Sequence, residues 1–591
     1  MMWILIVASL ALYLIPAALL HRSSYRFSRD YLVSARGASD GIFQNSSIAY
    51  AIQLATFGPF FVWGVSGDWV PGVWNSAFYC LGLSLLYFFR RPIANFVRAA
   101  LSSDRSITIH EFLARSHGHS PWIRIIASSL TIVALWGIVM SEMFGISAVL
   151  APLLGTGPEA SFAFVVCLFF LMFAYSVLGG NDGVMRMDQL QLGIGYIGLF
   201  AAVVGMIFLL GRSHLPGTAS AAIAVVFFAI FGLLWLVIRR FRFIEARTAA
   251  DLPDEADASK FTFWQTYLRV ERVVGALVVL MAIVMVVSSV SYVAVEGPLK
   301  VFETIGHSVG TSTGMSPLAL LALALLPLGY QLVDITNWQR FAAAGNPAQY
   351  AGGPGRRALL VYILEAPLAW VSLVAFGALA AGIFGNLSDS ANPFGEFALR
   401  LVGLDSFAGA VTVSAFLIAV LAIGFSTMDA VFSATQAAFQ YDLLPALDRT
   451  RTTDISTTRK IHTTRLFNLA TYVVVIAMLY VVEKYLAFGR DQYLGLLLAF
   501  YSAQLTFVPL VLGAFLSQRR FGGQSPVSPV FAVSALLSGA FVGIGATVGA
   551  IAGGGDELFL WGAIPASLLV SGTVYVVGWH AGKWRLAGSK G

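Results

Sequence analysis

The chain has 591 residues, 58% of them hydrophobic and only 11% charged, with a net charge of +6. A soluble domain holds about 25% charged residues, so this composition excludes a water-soluble fold and makes the bilayer the relevant solvent. The basic excess fits loops that anchor a membrane topology, and no nucleic-acid motif accompanies it.

A spanning helix needs about 20 mainly apolar residues, and fifteen stretches qualify. The first, 3–20, is followed rather than preceded by Arg22, Arg26 and Arg29. That order is the reverse of a signal peptide's and predicts a retained helix with its N-terminus outside. The second, 45–65, carries Gln53, Thr56, Gly58 and Pro59 in its middle. Gly58 and Pro59 predict a kink or a break, and a broken membrane helix leaves carbonyls to line a cavity or bind an ion. Stretches 72–90 and 124–150 follow, the latter holding Glu142 at mid-helix. Next come 160–178 and 190–210, separated by a segment that includes Asp188. Stretches 219–238 and 271–294 flank a charged loop, 240–271. Asp334 closes 314–334, and Glu365 lies inside 357–384, two residues before Pro367. Stretch 407–430 holds the adjacent hydroxyls Ser426 and Thr427, with Asp429 near its end. A second mixed loop, 441–464, precedes 465–482, 492–514, 527–551 and 559–578. The only two cysteines, Cys80 and Cys167, fall in apolar runs and read as packing residues.

Alternate loops collect the basic residues: Arg90, Arg91 and Arg98; Arg186; 239–247; 340–357; 449–465; Arg519 and Arg520; and 583–590. This positive-inside pattern places the N-terminus outside and the C-terminus in the cytoplasm of a cell-membrane protein. A charge at bilayer depth is expensive unless it faces protein or water. Glu142 and Glu365 are therefore candidates for gating roles, whereas Asp188 and Asp334 sit at expected helix ends, close to water. Ser426 and Thr427 offer neutral oxygens, which suit a hard, partly dehydrated sodium ion that must also leave again. No nucleophile triad, P-loop or metal cluster is legible, so an enzyme is not expected.

Five motifs carry a family resemblance: DYLVSAR (30–36), TIHEFLAR (108–115), YSVLGGNDGVMRMDQLQ (175–191), NWQRFAAAGN (337–346) and FSTMDAVFSATQAAFQYDLL (425–444). In this order the chain resembles the sodium:solute symporter family, which includes sodium/proline and sodium/glucose carriers. The resemblance implies an all-α core of ten helices in two inverted five-helix repeats, the leucine-transporter architecture. The repeats fall on 45–211 and 314–514. An extra helix lies in 1–22, an inserted segment with two helices in 212–313, and two further helices with a short tail in 515–591. The resemblance also implies a sodium site made by the hydroxyls of Ser426 and Thr427 and the carbonyls of Ile423, Ala49 and Ile52. Asp188 and Gln191 take coupling or gating roles beside Glu142 and Glu365. Met187 stands where the family has threonine, and the first core helix lacks the family's serine-rich pattern.

The expected function is sodium-driven uptake of a small polar organic solute by alternating access. Gln53, Thr56, Trp63, Trp136, Tyr330 and Gln331 are the candidate solute contacts, and Glu142 favours an amino or cationic part. Rival readings are a solute sensor acting through a protein partner, by way of 212–313 or the cytoplasmic loops, a channel or structural subunit, and a proton-coupled symporter.

Overall fold

The computed structural model describes residue 32 and residues 40–102, 106–154, 158–212, 219–245, 258–296, 315–343, 354–385, 387, 390, 392–404, 406–447, 457–485, 490–520, 524–552 and 557–588. Regular structure among them is helical throughout. The helices are α1 (Asp40–Ala51), α2 (Leu54–Val65), α3 (Val70–Ser102), α4 (Ile109–Ser116), α5 (Pro121–Leu154), α6 (Pro158–Arg212), α7 (Ala219–Glu245), α8 (Ala258–Glu296) and α9 (Pro317–Val333). They continue as α10 (Ile335–Ala343), α11 (Pro354–Phe384), α12 (Pro393–Gly403), α13 (Phe407–Ala437), α14 (Thr457–Tyr485), α15 (Arg490–Leu505), α16 (Phe507–Arg520), α17 (Pro529–Ala552) and α18 (Glu557–Gly588). A π-helical turn, Ala438–Leu443, extends α13.

Twelve described helices are long and apolar enough to cross a membrane, and the bent pair α1–α2 makes up to thirteen. The chain is thus a multi-pass, all-α membrane protein. Of the fifteen expected stretches, 160–178 appears as the first part of α6, with a shorter apolar run at Phe162–Ala174, and 3–20 lies outside the described residues. Within α6 the chain breaks direction at Gly180, whose φ of 58° lies in the left-handed region that glycine adopts without a side-chain clash. The charged stretch 258–271, expected as loop, instead winds into the start of α8.

Local chemistry explains several helix starts. Thr108, Ser316, Asn392 and Ser406 each place a side-chain oxygen on a backbone N–H of the first turn of the helix that follows. This satisfies a donor that has no partner inside the helix. Pro317 and Pro393 stand at the first helical position, where a missing N–H does no harm.

The packing is reciprocal between the two halves of the chain. Helix α2 packs on α11 while α9 packs on α3; α6 packs on α13 while α15 packs on α5. Glycine permits the closest of these approaches. A Cβ on Gly64 of α2 would lie 1.9 Å from the Val374 carbonyl oxygen of α11. One on Gly377 of α11 would lie 2.1 Å from the Phe61 oxygen of α2. Small residues that let backbones touch are the usual means of joining helices in lipid, where apolar burial adds little. Helix α8 shows the opposite surface: Val273, Leu277, Leu280, Ile283, Val287 and Val290 form an exposed apolar face at helical spacing. Cys80 is half-buried and Cys167 exposed, so the latter is not an internal packing residue.

Candidate functional site

Two interruptions organise the centre of the bundle. The first separates α1 from α2, which meet at 57°. It falls at Ile52 and Gln53, where Gln53 adopts an extended conformation with φ −92° and ψ 138°. Gly58 and Pro59, expected to cause the break, lie inside α2 instead. The freed backbone groups are claimed by side chains. Leu54 and Ala55 donate their N–H groups to Glu142, at 3.0 and 3.1 Å, and Trp370 donates to the Ala51 carbonyl at 2.7 Å. Free polar groups at this depth require such partners.

The second interruption is at Asp334, between α9 and α10, with φ −67° and ψ 112°. Asp334 accepts the N–H of Thr336 at 2.9 Å and its hydroxyl at 2.5 Å. Asn337 donates to the Gln331 carbonyl at 3.1 Å, and Trp338 to that of Leu332 at 3.0 Å. Asp188 and Asp334, expected close to water, are both fully buried.

A cavity of about 20 Å3 lies against the first break, with Ala49, Ile52, Gln191, Ile423 and Ser426 in its wall. That volume admits about one water or small ion. Thr427, next in sequence, is buried and donates to the Ile423 carbonyl at 3.4 Å. Ser426 donates to Asp188 at 2.8 Å, and Ser46 donates to the other oxygen of Asp188 at 2.5 Å. Arg340 completes the group: its Nε donates to the Ser46 hydroxyl at 3.1 Å, and its Nη2 lies 3.7 Å from Asp188. The guanidinium also sits 4.7 Å from the ring centre of Tyr50. Asp188 thus bridges α1 and α13 through one serine on each, with Arg340 of α10 behind it.

A larger cavity, about 70 Å3, lies on the other side of the same break. Gln53, Thr56, Trp63, Tyr330 and Gln331 line it, as do Tyr50, Tyr79, Trp370 and Tyr501. Tyr50 and Tyr330 share a hydrogen bond of 3.0 Å, and Tyr501 donates to Gln53 Oε1 at 3.0 Å. Trp136 lines neither cavity; it is half-buried on α5. Glu142 stands behind the break rather than in the wall. Glu365 lies apart from the larger cavity, accepting from Tyr196 at 2.9 Å and from Trp235 of α7 at 3.2 Å.

Sequence reading missed Ser46, Arg340, Tyr50, Tyr501 and Trp370, whose roles depend on pairings across more than 140 positions. It also missed a second buried network. Asp442, in the π-helical turn, meets His110 at 2.8 Å and accepts from Thr108 at 2.7 Å and Ser106 at 3.0 Å. His110 reaches Thr131 of α5 at 2.8 Å through its other nitrogen. The polar cluster in TIHEFLAR was the available signal.

No protein-family model matches the chain, and no curated protein matches it in sequence. Its fold is similar to that of a solved Na+-coupled sialic acid symporter, captured in a substrate-bound outward-open state, with a TM-score of 0.63 over 97% of each chain at 12% identity.

Proposed function

We propose that this chain is a secondary transporter that couples inward sodium movement to uptake of a small polar organic solute by alternating access. One observation carries the reading. A single interrupted helix supplies the wall of an ion-sized cavity on one side and of a solute-sized cavity on the other. Binding at either alters the arrangement of the same backbone, which is how two ligands become positively coupled. The fold shared with a Na+-coupled symporter supports the choice of ion.

In this reading the reciprocal packing reflects two inverted five-helix repeats, 45–211 and 314–514, with 1–22 before them, 212–313 inserted and 515–591 following. The breaks at Gln53 and Asp334 each interrupt the first spanning segment of its half, which supports an inverted-repeat arrangement. Sodium takes the oxygens of Ser426 and Thr427 and the carbonyls of Ala49, Ile52 and Ile423. Asp188 and Gln191 couple that site to its release path. The N-terminus lies outside the cell membrane and the C-terminus in the cytoplasm, so sodium gains about 2.3 kcal/mol per 100 mV on entry.

The test is uptake of labelled small solutes by purified protein in liposomes under an inward sodium gradient. Sodium-dependent accumulation, lost when Ser426 and Thr427 are both changed to alanine, is the expected result. The buried Asp188, held by Ser46 and Ser426, favours proton coupling as the second reading. Accumulation driven by a proton gradient without sodium would replace the first reading by the second.

A further inference from the structure

We propose that the 70 Å3 cavity selects a small protonated amine and rejects carboxylates. This rests on the transporter reading of the same cavity and adds the class of solute.

A half-helix that begins inside the membrane presents unpaired N–H groups and the positive end of its dipole, a natural seat for an anion. Both such seats here are already filled from within. Glu142 takes Leu54 N and Ala55 N at the first break, and Asp334 takes Thr336 N at the second. Both carboxylates are fully buried. An anionic solute would therefore find no vacant helix N-terminus at either break without displacing a carboxylate of the protein. Nor does the wall offer a replacement, since its described residues include no Lys, Arg or His. Arg340, behind Tyr50, is committed to Ser46 and Asp188.

The lining is suited to a cation instead. Tyr50, Tyr79, Tyr330, Tyr501, Trp370 and Phe60 supply aromatic surface. The hydroxyls of Tyr50, Tyr79 and Tyr330 pair with other tyrosines, and that of Tyr501 pairs with Gln53. With these hydroxyls paired, the tyrosines offer the solute their ring surface, which attracts ammonium groups when water is excluded. A separate observation asks for an N–H donor. Asn75 is 4% exposed and lines the cavity. Its amide nitrogen donates to the Leu323 carbonyl at 3.1 Å, leaving Oδ1 without a hydrogen-bond partner. A buried acceptor left unpaired is costly, and an ammonium N–H satisfies it. The cavity's size confines the solute to a handful of non-hydrogen atoms.

Propylammonium, propanol and propionate are nearly equal in shape and differ in charge, so they are the probes. Thermal unfolding of the full-length purified protein is followed with each, with and without sodium. Propylammonium should raise the midpoint and bind about ten-fold tighter than propanol, the order expected of a desolvated cation–aromatic contact. Propionate should produce no shift. Asn75→Ala and Glu142→Gln should each shrink the amine's advantage; if Glu142→Gln fails to fold, Asn75→Ala still reads the effect. Propionate or propanol binding as tightly as propylammonium overturns the proposal, as does no response to any of the three. The sodium-induced shift separates the two readings. If it persists in the native protein with the probes in the wrong order, the amine fails and symport stands. If it is missing while propylammonium still binds, symport fails and the amine site stands.

Discussion

At the scale of single residues, the buried polar groups are the ones whose surroundings can be written as bonds. His117 lies between α4 and α5. Its Nδ1 faces the Leu113 carbonyl at 2.8 Å, and its Nε2 faces the Tyr575 hydroxyl at 3.1 Å. The carbonyl needs a proton on Nδ1, so in the neutral ring Nε2 accepts from the tyrosine. Burial lowers its pKa to about 4. The folded form therefore binds its proton later than the unfolded form, whose pKa is about 6.5. Stability is complete above about pH 6.5, declines as the pH falls toward 4, and loses about 3 kcal/mol over that window. Thermal unfolding in detergent should show the decline, and His117→Gln should flatten it. How far such residues can be read from sequence varies. Glu142 announces itself as a carboxylate in an apolar run, yet its partners are two backbone amides 88 and 87 positions away. Ser46 looks ordinary in sequence, because a serine in a membrane helix usually bonds to its own preceding turn, and Arg340 stood out only as part of the motif NWQRFAAAGN, with no partner attached to it.

At the scale of elements, helix spans were legible because hydrocarbon thickness imposes a length that composition reveals. The exact place of a break was not. Gly58 and Pro59 made irregularity near 45–65 visible, but the chain opens at Gln53, where Glu142 and Trp370 take the freed groups. Pro59 is tolerated within α2. The interruption at Asp334 was legible only as the end of stretch 314–334; that the chain resumes as a second buried helix, α10, was not. Glycines at helix contacts were likewise silent until their neighbours were known. Gly64 predicts a clear outcome: Gly64→Val drives a branched side chain against the α11 backbone and forces the second half of the broken helix away. Overpacking of this kind costs about 1–3 kcal/mol or more. The expected result is a lower unfolding midpoint together with loss of solute uptake. An unchanged midpoint would mean that α2 and α11 are not tightly joined.

At the scale of the whole molecule, the proposed orientation in the membrane rests on loop charge. The proposed topology places Arg356 and Arg357 on the cytoplasmic side and Arg490 outside. With Cys80 and Cys167 replaced by alanine, a cysteine at 357 should resist an impermeant maleimide in intact cells, and one at 490 should react. The reverse pattern would invert the topology and, with it, the direction of sodium entry. The stretch 212–313 stood out in sequence only as two surplus helices. Its attachment is specific, because Trp235 of α7 and Tyr196 of α6 donate to one oxygen of Glu365 on α11. This bond has an evolutionary implication. An ancestor without α7 would have offered Glu365 no indole and fewer donors, a poorer setting for a buried carboxylate. The glutamate and the helix pair should therefore have been acquired together or in close succession. Among relatives, chains lacking the pair should carry an uncharged residue at the place of Glu365, and chains keeping the glutamate should keep a donor at the place of Trp235.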